Sequence, residues 1–172
     1  MHRDLDKLRI VILCGGSPRH LYVANALCGA AEALAIVQET GSEWSMRKIL
    51  KILRPDIFFR KSWRWLRDRR RYYGNPEARF FFGENQPVLD QPERVHEVPH
   101  INHPDVVDLV DELKPDLIAV FGTSLIRGQL LRKGRLGLVN LHGGLSPEYR
   151  GADCTFWALY NREPEKIGCT LH

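Results

Sequence analysis

The hydrophobic residues of this chain form short apolar runs that alternate with segments of helical spacing. Short, mostly apolar runs at 8–13, 33–37 and 117–121 are typical of strands buried on both faces of a parallel sheet. Segments 18–31 and 104–113 instead repeat their apolar residues every three or four positions, as amphipathic helices do. Strands that alternate with helices predict an α/β fold: a doubly wound, mostly parallel, Rossmann-like sheet with right-handed crossovers. We expect residues 1–172 to form a single domain of this kind.

A further apolar strand is predicted at 136–141, and it brings Asn140 and His142 to its carboxyl end. Side chains two apart in a strand project to the same side, so these two can share one small substrate atom. An amide donates without carrying charge, whereas imidazole exchanges a proton near neutral pH, and together they suit polarising a carbonyl and moving a proton. Gly143 and Gly144 then permit close approach by a ligand. The alternative is an ordinary strand end with a hydrogen-bonded core histidine.

The first predicted strand is followed by Gly15, Gly16 and Ser17, with Pro18 in place to begin a helix. Backbone N–H groups at the positive end of that helix form a cradle for a phosphate or carboxylate of a substrate. The spacing is not that of a dinucleotide-binding glycine motif, and a tight turn without a ligand is the alternative.

Residues 47–73 hold eleven Lys or Arg and two Asp, a net charge of +9, so the other 145 residues carry 4 − 9 = −5. The pattern predicts a basic helical insertion of two amphipathic helices separated at Pro55, with Phe59, Trp63 and Leu66 on the apolar face of the second. One interpretation is a lid whose basic face is solvated. The other is a patch for an anionic ligand: tRNA, a nucleotide-linked sugar or an anionic lipid head group.

Several other classes of chemistry are disfavoured by the sequence. His96, His100 and His103 have a helical spacing, but Pro99 and Pro104 interrupt that helix, and no metal site is predicted. The four cysteines form no Cys-x-x-Cys pair, which favours reduced core thiols: Cys14, Cys28, Cys154 and Cys169. The proline- and glycine-containing segment 75–99 predicts mainly a connecting loop. No apolar run has the length of a membrane span, and we expect a cytoplasmic protein.

The string from Asn140 to Gly151 resembles the folate-dependent formyltransferases, which include glycinamide ribonucleotide, methionyl-tRNA and amino-sugar formyltransferases. That family has a strand ending in Asn-x-His and then a Ser-Leu-Leu-Pro-x-Tyr-Arg-Gly loop. Seven positions match in order: Asn140, His142, Leu145, Pro147, Tyr149, Arg150 and Gly151. Gly144 and Ser146 depart from the family pattern, while segments 116–126 and 168–172 are similar to its preceding and following strands.

The resemblance implies transfer of a formyl group from 10-formyltetrahydrofolate to a primary amine of an amino sugar, an aminoacyl-tRNA or a similar acceptor. It makes Asn140 and His142 the catalytic residues and puts Gly15, Gly16 and Ser17 on the acceptor side. The residues that it places around the donor are Phe121, Gly122, Thr123, Ser124, Leu125, Ile126, Gly143, Leu145, Pro147, Arg150 and Gly151.

The family's third catalytic residue, an Asp, follows its Gly-x-Thr-x-His strand, whereas this sequence ends at His172. The resemblance therefore implies a formyltransferase domain that is incomplete at its C-terminus and impaired in catalysis. Two alternatives stay open: a non-catalytic member that binds folate or a nucleotide, and a protein that binds anionic polymers through residues 47–73. A Rossmann dehydrogenase fits least, because no acid follows the second strand in a convincing ribose-binding context.

Overall fold

The computed structural model describes residues 7–41, 55–71 and 74–172. Its core is a six-stranded sheet in the order β3-β2-β1-β4-β5-β6. The first five strands are parallel and the last is antiparallel. The strands are β1 (Arg9–Gly15), β2 (Glu32–Glu39), β3 (Val95–Val98), β4 (Leu117–Phe121), β5 (Gly137–His142) and β6 (Thr170–Leu171). The predicted doubly wound, mostly parallel sheet is confirmed.

Five α-helices lie in the described residues, and four of them begin at a proline. Proline at the first helical position has its φ angle already set and lacks an N–H that would be unpaired there. The helices are α1 (Pro18–Ala30), α2 (Pro55–Arg71), α3 (Pro76–Phe82), α4 (Pro104–Leu113) and α5 (Cys154–Tyr160). Short 3₁₀ turns lie at Pro92–Arg94, Gly128–Arg132 and Pro164–Lys166.

The alternation of side chains along β1 builds a separate core on each face of the sheet. Val11 and Leu13 pack in one cluster with residues of α4, whereas Ile12 and Cys14 pack in the other with residues of α1. Burial raises the pKa of the Cys14 thiol to about 12, so this thiol is neutral and behaves as a small apolar side chain. Helices on both faces explain why the central strands are apolar throughout.

The strand order reverses between β1 and β4, where the chain has wound outward in both directions. Crevices beyond the carboxyl ends of the strands at such a reversal are where open α/β sheets bind ligands. Because β1 ends at Gly15 and β4 at Phe121, the two predicted turns lie side by side at this point. The end of β5 at His142 is adjacent to them on the same edge.

The prediction of a loop for residues 75–99 is wrong for residues 76–82, which form α3. Asn75 caps this helix, with its side-chain oxygen accepting from the N–H of Ala78 at 3.2 Å. Gly83 follows the last turn with a φ of +62°. Proline and glycine are loop signals in isolation, but here they begin and end one short helix. Its aromatic residues pack beside α1, where the rings of Tyr22 and Phe81 lie 5.2 Å apart.

Burial at the periphery of the fold does not follow the apolar pattern of the sequence. The aromatic residues of α5 are exposed rather than core, and Cys154 and Ala158 form the buried face of this helix instead. The strand β5 is half-buried along its whole length, because its outer neighbour β6 has only two residues. Of the four thiols, Cys14 and Cys154 are buried as expected, whereas Cys169 is exposed.

The basic segment is only partly described. Its first predicted helix, at 46–53, lies outside the described residues, and its second corresponds to α2. The apolar face predicted for that helix is largely exposed. None of the helices in the described part of the chain is long and apolar enough to cross a bilayer.

Candidate functional site

Asn140 is held at the end of β5 by pairing with His172 across the antiparallel β6 edge. The N–H of Asn140 donates to the carbonyl of His172 at 2.7 Å, and the return bond measures 3.2 Å. Nδ2 of Asn140 also donates to Nε2 of His172 at 3.0 Å, which leaves the second amide hydrogen for another acceptor. His172 is absent from the predicted site residues. The signal was the alternation Thr170-x-His172, which puts both side chains on one face of the last strand.

The imidazole of His142 lies on the same side of the sheet edge, with its centroid 6.0 Å from that of His172. Its Nε2 is 3.1 Å from the carbonyl oxygen of Tyr149 and 3.5 Å from the thiol of Cys154. Because a carbonyl only accepts, the contact with Tyr149 places a hydrogen on Nε2 and leaves Nδ1 as the acceptor of the neutral ring. No described residue hydrogen-bonds Nδ1.

Two hydrogen bonds of the hydroxyl of Thr170 hold the loop that follows His142. The hydroxyl of Thr170 donates to the carbonyl of Gly144 at 2.7 Å and accepts from the N–H of Ser146 at 3.0 Å. A Cβ at residue 144 would lie 2.6 Å from Sγ of Cys154 and 2.7 Å from Nε2 of His142. This crowding explains the glycine at a position where the resembled family has serine.

Tyr149 anchors the far side of the same loop. Its side chain is buried, its hydroxyl donates to the carboxylate of Glu163, and Nδ2 of Asn161 donates to it at 3.0 Å. A fixed side chain fixes the neighbouring carbonyl, which is the group that sets the tautomer of His142. The remaining predicted loop residues are exposed around the end of β5: Gly143, Leu145, Pro147, Arg150 and Gly151.

The turn at 121–126, predicted to line the site of the formyl donor (the donor turn), is anchored by an acid that is absent from the predicted site residues. Glu39, the last residue of β2, accepts from the N–H of Ser124 at 2.6 Å and from its hydroxyl at 2.7 Å. Its carboxylate also accepts from the N–H of Ile101 at 2.9 Å. Glu39 stands where an acid after the second strand binds ribose in dinucleotide-binding folds. In this chain, the carboxylate of Glu39 is instead hydrogen-bonded by groups of Ser124 and Ile101.

A second set of bonds continues from this acid around the turn. The side chain of Asn102, which precedes the N-cap residue His103 of α4, bridges the end of the turn. Its Nδ2 donates to the carbonyl of Leu125 at 3.0 Å, and its Oδ1 accepts from the N–H of Arg127 at 2.7 Å. The second half of the donor turn is therefore held by residues from β2 and from the segment after β3.

Glu39→Ala is expected to lower the free energy of unfolding by about 1.5–3 kcal/mol, because a hydrogen-bonded charge is removed and two N–H groups lose their acceptor. Partial burial opposes ionisation of Glu39, but the bonds from Ser124 and Ile101 outweigh it and lower its pKa. Because the pKa of Glu39 is lower in the folded state than in the unfolded state, its carboxylate stabilises the fold. This stabilisation is fully present above the unfolded pKa, about 4.3 for Glu. This contribution is lost as the pH falls through the folded pKa.

Chemical denaturation between pH 3 and pH 7 measures this effect. The matched control is Glu32→Ala, because Glu32 is exposed at the opposite end of the same strand. Equal losses of stability in the two variants at pH 7, or a loss for Glu39→Ala that does not shrink on acidification, would contradict the assigned role.

At the predicted acceptor cradle, the crevice between β1 and β4 holds the imidazole of His20. A Cβ on Gly15 would lie 2.8 Å from Nδ1 of His20, and one on Gly122 would lie 2.0 Å from its Nε2. The ring is half-buried against Phe121, with centroids 6.2 Å apart. Burial, followed by the charge of Arg19, lowers the pKa of His20, so the ring between Gly15 and Gly122 is neutral.

The start of α1 already binds a carboxylate of this chain. The N–H of Arg19 donates to Glu77 at 3.4 Å, and the guanidinium of Arg19 lies 3.5 Å from the same oxygen. Ser17 is the N-cap residue, yet its side chain makes no capping bond, and its buried hydroxyl lacks a partner among the described residues. Gly15, Gly16 and Ser17 as an acceptor-binding turn therefore stay a prediction.

The end of β5 thus combines an uncharged donor, an imidazole with one free acceptor nitrogen and an exposed glycine-containing loop. Such a set can hydrogen-bond a carbonyl oxygen as it becomes negative and accept a proton from a nearby nucleophile. Among the described residues, no cluster of three His, Cys, Asp or Glu side chains suits a metal ion. No carboxylate from the described part of the chain hydrogen-bonds His142.

The second half of the chain is similar to a known protein family. The sequence profile of a family described as formyl transferase matches residues 82–172, just over half of the chain. A methionyl-tRNA formyltransferase of Chlorobium chlorochromatii is 41% identical over 71 residues, which cover 41% of this chain and 23% of that enzyme.

Solved structures share the fold at low identity. A glycinamide ribonucleotide transformylase of Symbiobacterium toebii matches with a TM-score of 0.56 and 17% identity, over 98% of this chain and 66% of that one. A formyltetrahydrofolate deformylase of Pseudomonas syringae matches with a TM-score of 0.54 and 16% identity, over 98% of this chain and 46% of that one. The chain therefore spans about two thirds or less of these relatives.

Proposed function

Because the chain belongs to the formyl transferase family, we propose that it transfers a formyl group from 10-formyltetrahydrofolate to a primary amine. The observation that carries the proposal is the pair Asn140 and His142 at the end of β5. Each has a polar group that no described residue uses: one amide hydrogen of Asn140 and Nδ1 of His142. Both belong to the matched residues 82–172.

In the proposed reaction the amine nitrogen attacks the formyl carbon, whose oxygen becomes an oxyanion. The free N–H of Asn140 donates to that oxygen, and one such donor typically lowers a barrier by about 2.7–4 kcal/mol. Nδ1 of His142 accepts the proton that the amine loses, while the carbonyl of Tyr149 holds the hydrogen on Nε2. Collapse of the oxyanion breaks the bond from carbon to N10 of the folate, and that nitrogen takes up the proton.

We place the donor between the turn 121–126 and the exposed loop residues Gly143, Leu145, Pro147, Arg150 and Gly151. The anchoring of that turn by Glu39 and Asn102 supports this placement, because a slot for a planar ring system needs a rigid wall. We place the acceptor at Gly15, Gly16 and Ser17, across the crevice that His20 occupies. The proposed acceptor is an amine of a small molecule or of an aminoacyl-tRNA. The predicted location of the protein is the cytoplasm.

A second candidate is binding of the folate without turnover. It is favoured by the described partners of His142, which are a carbonyl and a thiol. Neither of them stabilises a cationic imidazole as a carboxylate does, and a cationic intermediate is what proton transfer through His142 requires.

Two measurements on the 172-residue chain separate these candidates. Calorimetric titration with 10-formyl-5,8-dideazafolate, a stable donor analogue, tests binding. Absorbance of the deformylated product, followed with a panel of glycinamide ribonucleotide, amino-sugar nucleotides and methionyl-tRNA, tests transfer. Binding with transfer to one acceptor supports the main proposal, and binding without transfer supports the second. Failure to bind the analogue would contradict both.

A further inference from the structure

The helix α2 exposes an apolar face that no function at the end of β5 requires. Five large apolar side chains of this helix are between 42% and 72% exposed: Phe58, Phe59, Trp63, Trp65 and Leu66. Ile57 is the buried residue among the apolar side chains described for this helix. Most monomeric proteins avoid exposing so many aromatic residues side by side, and such patches mark surfaces that bind something.

Most of the basic residues of α2 lie outside a broad apolar stripe. At 100° per residue, the five exposed apolar side chains fall within a stripe about 160° wide, which runs from Trp65 and Phe58 through Leu66 and Phe59 to Trp63. The rest of the surface described for this helix carries four basic residues: Arg60, Lys61, Arg64 and Arg67. One cation lies within the stripe itself, since Arg69 falls between Phe58 and Leu66 and its guanidinium is 5.2 Å from the centroid of the Trp65 ring. This cation–π contact keeps a positive charge beside the aromatic rings.

The positive charge of the chain is concentrated on this helix. Residues 55–71 contain seven Lys or Arg and two Asp, a net of +5, so the other 155 residues carry 4 − 5 = −1. The two acidic residues are Asp56 and Asp68, and the second pairs with Arg67 at 2.8 Å. A partner that covers the apolar stripe must therefore also meet an excess of positive charge along both of its edges.

We propose that α2 lies in the plane of an anionic membrane surface, with its aromatic stripe in the boundary between head groups and acyl chains. Phe and Trp suit that depth, and Arg and Lys along the polar side reach the phosphates of anionic lipids. The helix binds the surface and does not cross it, because its composition is far too polar to span a bilayer. This proposal is independent of formyl transfer at the end of β5.

Most basic residues of α2 lie outside the apolar stripe, and this separation favours a membrane over the other occupants. A single-stranded nucleic acid needs aromatic and basic side chains interleaved on one face, so that bases stack where phosphates are neutralised. A second copy of the chain would bring two helices of net charge +5 together, and their repulsion would oppose pairing. An anionic bilayer accepts the aromatic stripe and neutralises the charge at the same time.

Flotation with vesicles tests the proposal on the intact chain. We expect binding to vesicles of phosphatidylcholine with 30% phosphatidylglycerol, and at least tenfold weaker binding to pure phosphatidylcholine. Phe59→Ser combined with Trp63→Ser should weaken binding to the anionic vesicles by at least about tenfold, since two buried aromatic contacts are lost. Arg64→Gln should weaken it about fivefold, the effect of one basic residue near a charged surface. Folding should be unaffected, because these side chains are exposed.

Matched controls are Phe80→Ser and Arg79→Gln, which remove an exposed aromatic and an exposed cation from α3. Both are expected to bind the vesicles as the unaltered chain does. Equal binding to neutral and anionic vesicles, or no binding to either, would overturn the proposal. So would a dimer in sedimentation that Phe59→Ser with Trp63→Ser dissociates, or tRNA binding that this double variant abolishes while vesicle binding stays unchanged.

Discussion

Replacing His142 with Ala is expected to slow formyl transfer by about 10³-fold, the typical effect of removing a positioned general base. The substitution removes Nδ1, the nitrogen that no described residue hydrogen-bonds, and leaves the donor turn 121–126 intact. Affinity for the folate analogue should therefore stay within about threefold, because the lost group acts mainly in the transition state. Single-turnover transfer with the protein in excess measures the rate, and calorimetry measures the affinity.

Two further variants make this result specific. His96→Ala removes an exposed histidine from β3, far along the sheet, and should leave the rate unchanged. Cys154→Ser tests whether the thiol 3.5 Å from Nε2 takes part in the chemistry, and we expect a change of less than about threefold. The contact of Nε2 with the carbonyl of Tyr149 is the reason, because it leaves no free lone pair on Nε2 to accept the thiol proton. A loss for Cys154→Ser as large as for His142→Ala would refute the assigned tautomer.

Gly122→Ala is expected to lower the free energy of unfolding by about 2–5 kcal/mol. Gly122 has a φ of +66°, in the left-handed region, which costs a residue with a Cβ about 1–2 kcal/mol. The new methyl group would also lie 2.0 Å from Nε2 of His20, and displacing a half-buried ring adds about 1–3 kcal/mol. Because Gly122 follows β4 directly, the same change should weaken binding of the folate analogue.

Gly128→Ala separates the two contributions. Gly128 has nearly the same φ, +67°, but a Cβ there meets nothing within 4 Å, so only the backbone cost of about 1–2 kcal/mol remains. Adding His20→Ala to Gly122→Ala should recover the steric part and give a coupling energy of at least about 1 kcal/mol in urea denaturation. If Gly122→Ala and Gly128→Ala are equally destabilising, the His20 ring does not pack against Gly122 as the structure shows.

The central strands could be predicted from the sequence because each is buried on both faces. The apolar run at 117–121 corresponds to β4 residue for residue, and the runs at 8–13 and 33–37 lie within about two residues of β1 and β2. Helices α1 and α4 could be predicted too, since each combines an apolar stripe with a starting proline.

Burial at the periphery could not be predicted in this way. The aromatic spacing of α5 indicates a helix but not which face is covered, and the structure buries Cys154 and Ala158 instead. In α3 the same residue types that punctuate loops act as caps, because the amide of Asn75 satisfies an N–H at its start. Helix propensity depends on neighbouring residues in the sequence. The face of a helix that becomes buried depends on which distant parts of the chain pack against it.

The sequence by itself determined the sheet and its helices, the resemblance to the formyltransferases, and the positions of Asn140 and His142 at a strand end. Only the tertiary structure decided how these groups are held. The hydrogen on His142 is placed by a carbonyl in the following loop, and the donor turn is anchored by Glu39, which lies 85 residues before Ser124. The physical reason is that hydrogen bonds need a defined distance and direction, which strand order and register supply and spacing along the chain does not.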